Sequence, residues 1–257
     1  MKQEDTYRLL SKVLEILKMM TEAGAEIYRV EESASRIFAA YGVKNADVYA
    51  TTSNIIVSLE LDDGTIKTHS RRIGSIATDI ERIDRLNSLV RRICEQKLDT
   101  PQIDKEIEYI KGTPTYPTIV NILFYGIIAG AFYFFFGGRN IVELLFSAVI
   151  GLITGVITAL LGKANTNKFM VKFLCSLTAC LIIFTLKSFS VVTSVDNIII
   201  ANIMTLIPGI GLTNSLRDLF VGDSVSGILR LIEVALLALA IACGYILTTF
   251  IFGGVLL

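Results

Sequence analysis

The apolar residues of this chain recur with three different spacings, and each spacing predicts a different kind of element. From residue 5 to 22 they return every three or four positions, as on one face of an amphipathic helix. These positions are Leu9, Leu10, Val13, Leu14, Leu17 and Met20. The stretch AEIYRVEESASRIFAAYG repeats the helical spacing and ends at Gly42, a residue type that commonly terminates helices. We therefore expect two consecutive amphipathic helices.

The second spacing is a strict alternation, which is typical of half-buried strands. Apolar and more polar residues alternate over 55–61, and 46–53 is predicted to be another strand. Helical spacing returns over 79–97. Residues 1–110 are therefore predicted to form an α+β domain with the element order ααβββα.

A hairpin signal follows the alternating strand. Asp63-Gly64 is typical of a two-residue turn. If those two residues form the loop, Asp62 faces Thr65, and Glu60 faces Lys67 as an opposite-charge pair. This register agrees with both the hydrophobic and the charge pattern.

The only histidine of the chain lies on the following strand. The predicted register places His69 opposite Ser58 on the polar face. With Ser70, Ser75 and Asp79 near in sequence, a Ser/His/Asp hydrolase is conceivable, although such triads are defined by geometry and the chain has no G-x-S-x-G motif. We expect His69 to be an ordinary surface residue. The four cysteines are scattered, so we expect neither a metal site nor a disulfide framework. We expect no cofactor.

The third spacing is a set of long apolar runs after residue 118. They cover about 119–137, 141–161, 169–187, 196–210 and 226–252, and a membrane-spanning helix needs about 20 apolar residues. The fourth run reaches only about 13 residues before Pro208, short of that length. The chain is predicted to be an α-helical polytopic membrane protein with about five transmembrane helices.

Charge divides the chain at the same place. Residues 1–118 contain 17 lysines and arginines and 19 aspartates and glutamates, whereas 119–257 contain 7 and 5. A soluble domain (1–110), a linker with Pro114 and Pro117 (111–118) and a membrane domain (119–257) follow from this division. The formal net charge is zero and no basic stripe is present, so a nucleic-acid partner is not expected.

The distribution of positive charge predicts the orientation in the membrane. With five spans, the side of the N-terminal domain carries five basic residues, namely Lys163, Lys168, Lys172, Arg217 and Arg230. The opposite side carries Arg139 and Lys187. By the positive-inside rule the N-terminal domain is predicted to be cytoplasmic.

The fourth apolar run leads into TLIPGIGLTNSLRDLF (205–220). Pro208, Gly209 and Gly211 together oppose a continuous helix by about 5 kcal/mol. An unwound segment survives at membrane depth only inside protein or beside water, and the half-helix that follows it offers N–H groups to an anion. Thr213, Asn214 and Ser215 are predicted to cap that half-helix. If the segment lies outside the membrane, it is an ordinary cytoplasmic helix cap.

Charged residues in or near the spans extend this candidate site. Glu143 and Asp196 lie at the starts of spans two and four, and Arg230 and Glu233 lie three residues apart on one face of span five, where they can pair. The equal alternative is that Arg230 and Glu233 lie near the membrane interface and extend their charged groups to water. The predicted substrate-binding residues are Pro208, Gly209, Gly211, Thr213, Asn214, Arg217, Asp218, Arg230 and Glu233.

Several of these motifs together resemble a known family. They are Gly24-x4-Arg29-Val30-Glu31, the segment ERIDRLNSLVRRI, the PGI sequence at Pro208, and G-x4-G-x2-R-x2-E from Gly222 to Glu233. In this order, and followed by five spans, they resemble the N-terminal half of the threonine/serine exporter (ThrE) family, including its YjjP-like split members.

This resemblance implies a secondary transporter in the plasma membrane of a prokaryote, in contact with lipid. It implies export of small hydrophilic metabolites driven by the proton motive force. The first-choice substrates are threonine and serine, and the alternative is a dicarboxylate such as succinate. Fused members carry a second membrane half that this chain lacks, so the resemblance implies a partner, a small membrane protein of about four spans. A membrane-anchored hydrolase and a membrane-anchored sensor are the remaining alternatives, but an anchor needs neither a broken span nor charges within the membrane.

Overall fold

The computed structural model describes residues 3–43, 45–61, 63–113, 116–164 and 166–253. In chain order the elements are α1 (Gln3–Glu22), α2 (Ile27–Ala40), β1 (Asn45–Ala50), β2 (Asn54–Glu60), β3 (Ile66–Arg72), α3 (Ile80–Gln96), α4 (Thr100–Gly112), α5 (Thr118–Phe135), α6 (Ile141–Lys163), α7 (Lys168–Ser188), α8 (Val195–Leu206), α9 (Gly209–Val221) and α10 (Ser224–Ile251). Part of the linker predicted at 111–118, residues 114 and 115, lies outside the described residues.

The chain divides into two compact units, each built from two separate segments. The first unit comprises Met1–Thr113 and Gly209–Ile232. The second comprises Pro114–Pro208 and Glu233–Leu257. The boundaries fall directly before α9 and within α10.

The first unit packs helices against an antiparallel sheet with the strand order β1-β2-β3. The apolar stripes of α1 and α2 and the inward face of β2 are fully buried in one core, as their spacing predicts. An additional helix, α4, was missed in the sequence. Its start carries a capping box in which Asp99 accepts from the Gln102 N–H while the Gln102 side chain accepts from the Asp99 N–H. Ile103, Ile107 and Ile110 of α4 complete the core.

The predicted hairpin register is wrong by one residue. Glu60 lies opposite Ile66 rather than Lys67, and the Leu61 N–H donates to the Thr65 carbonyl at 2.9 Å. The loop therefore has three residues and ends in Gly64 at a φ of +78°, the left-handed position that such loops assign to glycine. Asp62, predicted to face Thr65, lies outside the described residues.

The shift of register moves His69 from Ser58 to Val57. Its ring stacks on Tyr7 with the centroids 5.9 Å apart. Its Nδ1 has no hydrogen-bond partner among the described side chains and backbone groups. Asp79 is occupied as the N-cap of α3, where it accepts from the Arg82 N–H at 2.9 Å. This arrangement gives no support to a Ser/His/Asp hydrolase.

Gly24, in the turn between α1 and α2, is required by the backbone. Its φ is +93°, and a Cβ there would lie 2.5 Å from the Ala77 carbonyl oxygen. Gly42 has a similar φ of +78° but open space around it. We expect Gly24→Ala to lower the thermal unfolding midpoint of the full-length protein clearly more than Gly42→Ala. The second variant adds only the left-handed strain of about 1–2 kcal/mol. Equal shifts would contradict the close approach to Ala77.

The second unit is a bundle of apolar helices. The helices α5 and α6 approach closely at Gly151, where a Cβ would lie 2.6 Å from the Tyr125 carbonyl oxygen and 2.7 Å from the Ala129 Cβ. Within the described residues, α5, α6, α7 and α10 are long and apolar enough to cross a membrane. The pair α8 and α9 also qualifies if it is counted as one bent span. The protein is a polytopic membrane protein with four to five candidate spans.

Candidate functional site

The break in the fourth apolar run is real but short. The axes of α8 and α9 differ by 58°, and only Ile207 and Pro208 separate the two helices. The predicted unwound segment is limited to these two residues, because Gly209 and Gly211 lie in the first turn of α9. A proline at the start of a helix lacks only an N–H group that the first turn leaves unused, so the helix resumes at once.

The predicted caps of the second half-helix are wrong as well, because all three residues lie inside α9. Thr213 Oγ1 donates to the Gly209 carbonyl at 3.1 Å, and Ser215 Oγ donates to the Leu212 carbonyl at 2.7 Å. Asn214 instead reaches the α1–α2 turn, where its Nδ2 donates to the Gly24 carbonyl at 3.1 Å.

Two neighbouring charged residues of α9 contact the start of α2. Arg217 Nη1 lies 2.5 Å from Glu26 Oε1, and its guanidinium lies over the Tyr28 ring at 5.4 Å. Asp218 Oδ1 accepts from the Ile27 N–H at 3.3 Å. The N-cap residue of α2, Glu26, makes no side-chain cap hydrogen bond. Asp218 therefore provides from α9 the negative charge and the acceptor that the N-terminus of α2 needs.

Arg230 completes this buried group from the second turn of α10. Its Nη1 lies 3.3 Å from Asp218 Oδ2, and its Nη2 donates to the Ala25 carbonyl at 3.2 Å. The predicted pairing of Arg230 with Glu233 is wrong, because Glu233 forms an ion pair with Lys168 at 3.2 Å. Arg230 therefore pairs with Asp218 of α9 and not with Glu233, the acidic residue three positions away on its own helix.

A further carboxylate holds the end of β1. Glu31 Oε1 accepts from the Ala50 N–H at 2.8 Å, and Ser226 of α10 contacts the Ala50 carbonyl. Burial raises the pKa of the Glu31 carboxyl, the hydrogen bond from Ala50 opposes this shift, and the nearby charge of Asp223 adds to it. Together with Asn214, Arg217, Asp218 and Arg230, these contacts attach α9 and the start of α10 to the α1–α2 turn and to β1.

The motifs that the sequence singled out separately thus meet inside the first unit. The segment from Gly24 to Glu31 contacts residues 214–230, although the two are about 190 positions apart in the chain. The roles of Glu26 and the Ile27 N–H were not predicted, since no local pattern marks a helix N-terminus as capped by a distant residue. Some buried polar atoms of this cluster form no hydrogen bond within the described residues, namely Glu26 Oε2, Asp218 Oδ2, Asp223 Oδ2 and Arg230 Nη1.

The second unit contains a cavity of about 700 Å³ between α5, α6 and α8. It lies toward the N-terminal end of α5 and the C-terminal ends of α6 and α8, so one wall directly precedes the break at Ile207. Its lining is mostly apolar and includes six polar side chains, namely Thr118, Asn121, Tyr125, Thr158, Lys163 and Thr205. Sequence reasoning used Lys163 only to orient the chain. The polar residues Asn121 and Thr158 within apolar runs are the signal that would have pointed to the cavity.

The second unit also buries a carboxylate. Glu143, at the start of α6, is fully buried and accepts from the Tyr133 hydroxyl at 2.7 Å. It also accepts from the Thr193 N–H at 2.7 Å, the Thr193 hydroxyl at 2.8 Å and the Ser194 N–H at 3.1 Å. Because Thr193 and Ser194 directly precede α8, Glu143 fixes the N-terminus of that helix to α5 and α6. The sequence marked Glu143 as a charge near a span but not its four donors.

Comparisons with known proteins agree with this architecture. The family model described as "Putative threonine/serine exporter" (ThrE) matches residues 12–252. A curated protein of Klebsiella aerogenes, "Probable succinate transporter subunit YjjP", is 24% identical over 237 residues, which cover 91% of this chain and 90% of that protein. No solved structure matches the chain. Since the family model extends over nearly the whole sequence, the chain belongs to the threonine/serine exporter (ThrE) family of membrane transport proteins.

Proposed function

We propose that the protein is one subunit of a secondary transporter that exports small hydrophilic metabolites carrying a carboxylate. The family match over residues 12–252 is the observation that carries this proposal. Broken helices and polar cavities within apolar bundles, such as those around Pro208 and Lys163, are common features of secondary transporters.

Two substrate classes have support. The family description favours threonine and serine, and these are the substrates that the sequence resemblance puts first. The name of the Klebsiella aerogenes relative favours a dicarboxylate, succinate. A carboxylate is common to both classes, so the same assay can test them side by side.

A partner subunit is part of the proposal. The relative, which this chain matches over 90% of its length, is named as a subunit. We propose that a separate membrane protein of about four spans supplies the second half of the transporter. The N-terminal domain faces the cytoplasm of a prokaryotic cell in this proposal, by the excess of lysine and arginine on its side.

The substrate role of the sequence-predicted site stays a prediction. Pro208, Gly209 and Gly211 lie at the break, whereas Asp218 and Arg230 bind protein groups. Glu233 is half exposed beside Lys168. If these residues bind substrate, Glu233→Ala should reduce export at normal expression, and an unchanged flux would remove Glu233 from the site.

An export assay tests the function. Cells lacking both this protein and its partner subunit should accumulate more threonine or succinate after dipeptide or metabolite loading than cells that express both. Restoring only one of the two subunits should leave the accumulation high. The exporter proposal fails if the cells lacking both subunits retain the same amount of each metabolite as wild type, or less.

A further inference from the structure

We propose that the cavity between α5, α6 and α8 is a substrate site, and that Lys163 binds a carboxylate group of the substrate there. This proposal deepens the transport function proposed above and rests on it. It places the substrate in the second unit, apart from the residues that the sequence pattern selected.

The size and lining of the cavity suit a small polar ligand. Its volume of about 700 Å³ falls in the range of about 300–1,000 Å³ that is usual for small-molecule sites. Apolar side chains such as Ile122 and Phe124 form part of the wall, and polar side chains converge on the same space. A few placed polar groups in an otherwise apolar wall are the usual composition of a binding pocket.

Three of the polar side chains are free to bind a ligand. The Lys163 ammonium, the Asn121 amide and the Thr118 hydroxyl form no hydrogen bond or ion pair with the part of the chain that the structure describes. By contrast, Thr158 and Thr205 donate to backbone carbonyls in their own helices at 2.8 and 2.7 Å. Thr118, Asn121 and Lys163 are exposed, so water satisfies these three side chains when no ligand is bound and a ligand can replace that water.

The charge of the lining selects the class of ligand. Lys163 is the one charged side chain among the lining residues described, and no aspartate or glutamate accompanies it. A carboxylate can therefore bind the ammonium through a charge-assisted hydrogen bond, and the Asn121 amide can donate to a second carboxylate. The ammonium group of a zwitterionic amino acid would find no carboxylate here. The lining thus fits a small dicarboxylate better than threonine or serine.

The place of the cavity next to the break is consistent with transport. Met204 and Thr205, in the last turn of α8, form part of its wall. The helix ends one residue later, at Leu206, and Ile207 and Pro208 follow. A substrate site beside a broken helix is a recurrent arrangement in secondary transporters.

Uptake of labelled succinate into everted membrane vesicles that contain both subunits tests the site. Lys163→Gln should raise the KM for succinate about tenfold or more, the size of a lost charge-assisted hydrogen bond. Lys163→Arg, which keeps the charge, should stay closer to wild type. Lys187→Gln is the matched control, because Lys187 lies at the C-terminal end of α7 and does not line the cavity.

A second variant guards against loss of folding. Asn121→Ala should also raise the KM for succinate, when the variant and the wild type are compared at equal amounts of protein in the membrane. Wild-type vesicles should take up succinate with a lower KM than threonine. The site proposal is overturned if the wild type transports succinate and Lys163→Gln keeps the same KM. If wild-type vesicles transport neither succinate nor threonine, the transport function itself fails.

Discussion

Replacing Arg230 by alanine is expected to destabilise the first unit by about 3–5 kcal/mol, the usual effect of removing one partner of a buried ion pair. Asp218 is fully buried and Arg230 is 5% exposed, so the remaining carboxylate would have no access to water. The Ala25 carbonyl would also lose its donor. The measurement is thermal or denaturant unfolding of the full-length protein in detergent.

A neighbouring ion pair provides the control. Arg217 of α9 pairs with Glu26 at the start of α2, but the Arg217 side chain is 49% exposed. Arg217→Ala should therefore change the stability by less than about 1 kcal/mol, as exposed ion pairs do. Adding Asp218→Asn to Arg230→Ala should recover part of the loss, because the unpaired charge is removed. Equal effects of Arg217→Ala and Arg230→Ala would contradict this account.

The same variants separate a structural role of Arg230 from a transport role. Because Asp218 and Arg230 join the α1–α2 turn to α9 and α10, loss of the pair should also reduce export, through misfolding. Export must therefore be normalised to the folded protein in the membrane. A direct substrate role requires that Arg230→Ala lowers the export rate per folded molecule.

Replacing Glu143 by alanine is expected to destabilise the second unit by roughly 3 kcal/mol or more. Four hydrogen bonds to one buried carboxylate would be lost. The buried Tyr133 hydroxyl left without an acceptor costs about 1–3 kcal/mol, and the three partly buried donors at Thr193 and Ser194 add less each, because water can reach them. These donors are the Tyr133 and Thr193 hydroxyls and the N–H groups of Thr193 and Ser194. The start of α8 would lose its attachment to α6.

Tyr133→Phe is the matched comparison for Glu143. It removes one of the four hydrogen bonds and keeps the buried ring, so we expect a loss of about 1 kcal/mol. The loss of stability of Glu143→Gln should lie between those of Tyr133→Phe and Glu143→Ala. The glutamine carbonyl oxygen can still accept hydrogen bonds, but its NH2 group would face other donors. Both are measured as shifts of the unfolding midpoint in detergent. A Glu143→Ala shift no larger than that of Tyr133→Phe would show that the carboxylate does not hold the start of α8.

Most helices and strands follow from local patterns in the sequence. The apolar stripes of α1 and α2, the alternation of β2 and the apolar runs of the second unit all predict elements that the structure contains. The reason is that burial of apolar side chains sets these spacings residue by residue. The helix α4 was missed although the capping box of Asp99 and Gln102 was visible in the sequence, because its apolar stripe is short.

The length of the hairpin loop and the length of the break at Pro208 were not predicted correctly. The hairpin loop has three residues instead of two, since a glycine in the left-handed conformation fits either length until the strands pair. The break at Pro208 is shorter than the number of helix-breaking residues suggested. Glycines in the first turn of a helix oppose it by only about 1 kcal/mol each, which packing against α2 can offset.

The sequence by itself determined that this is a membrane protein with a charged α+β part, which residues form most of the helices, and that the chain breaks at Pro208. Only the tertiary structure decided which charges meet. Asp218 accepts a hydrogen bond from the first turn of α2, 191 residues away in the chain, and Thr193 donates to Glu143 across 50 residues. Arg230 pairs with Asp218 rather than with the nearby Glu233. The spacing of apolar residues is a local property that can be seen in neighbouring positions of the sequence. A charge is satisfied by any opposite charge or donor within a few ångströms, and the fold alone brings that partner close.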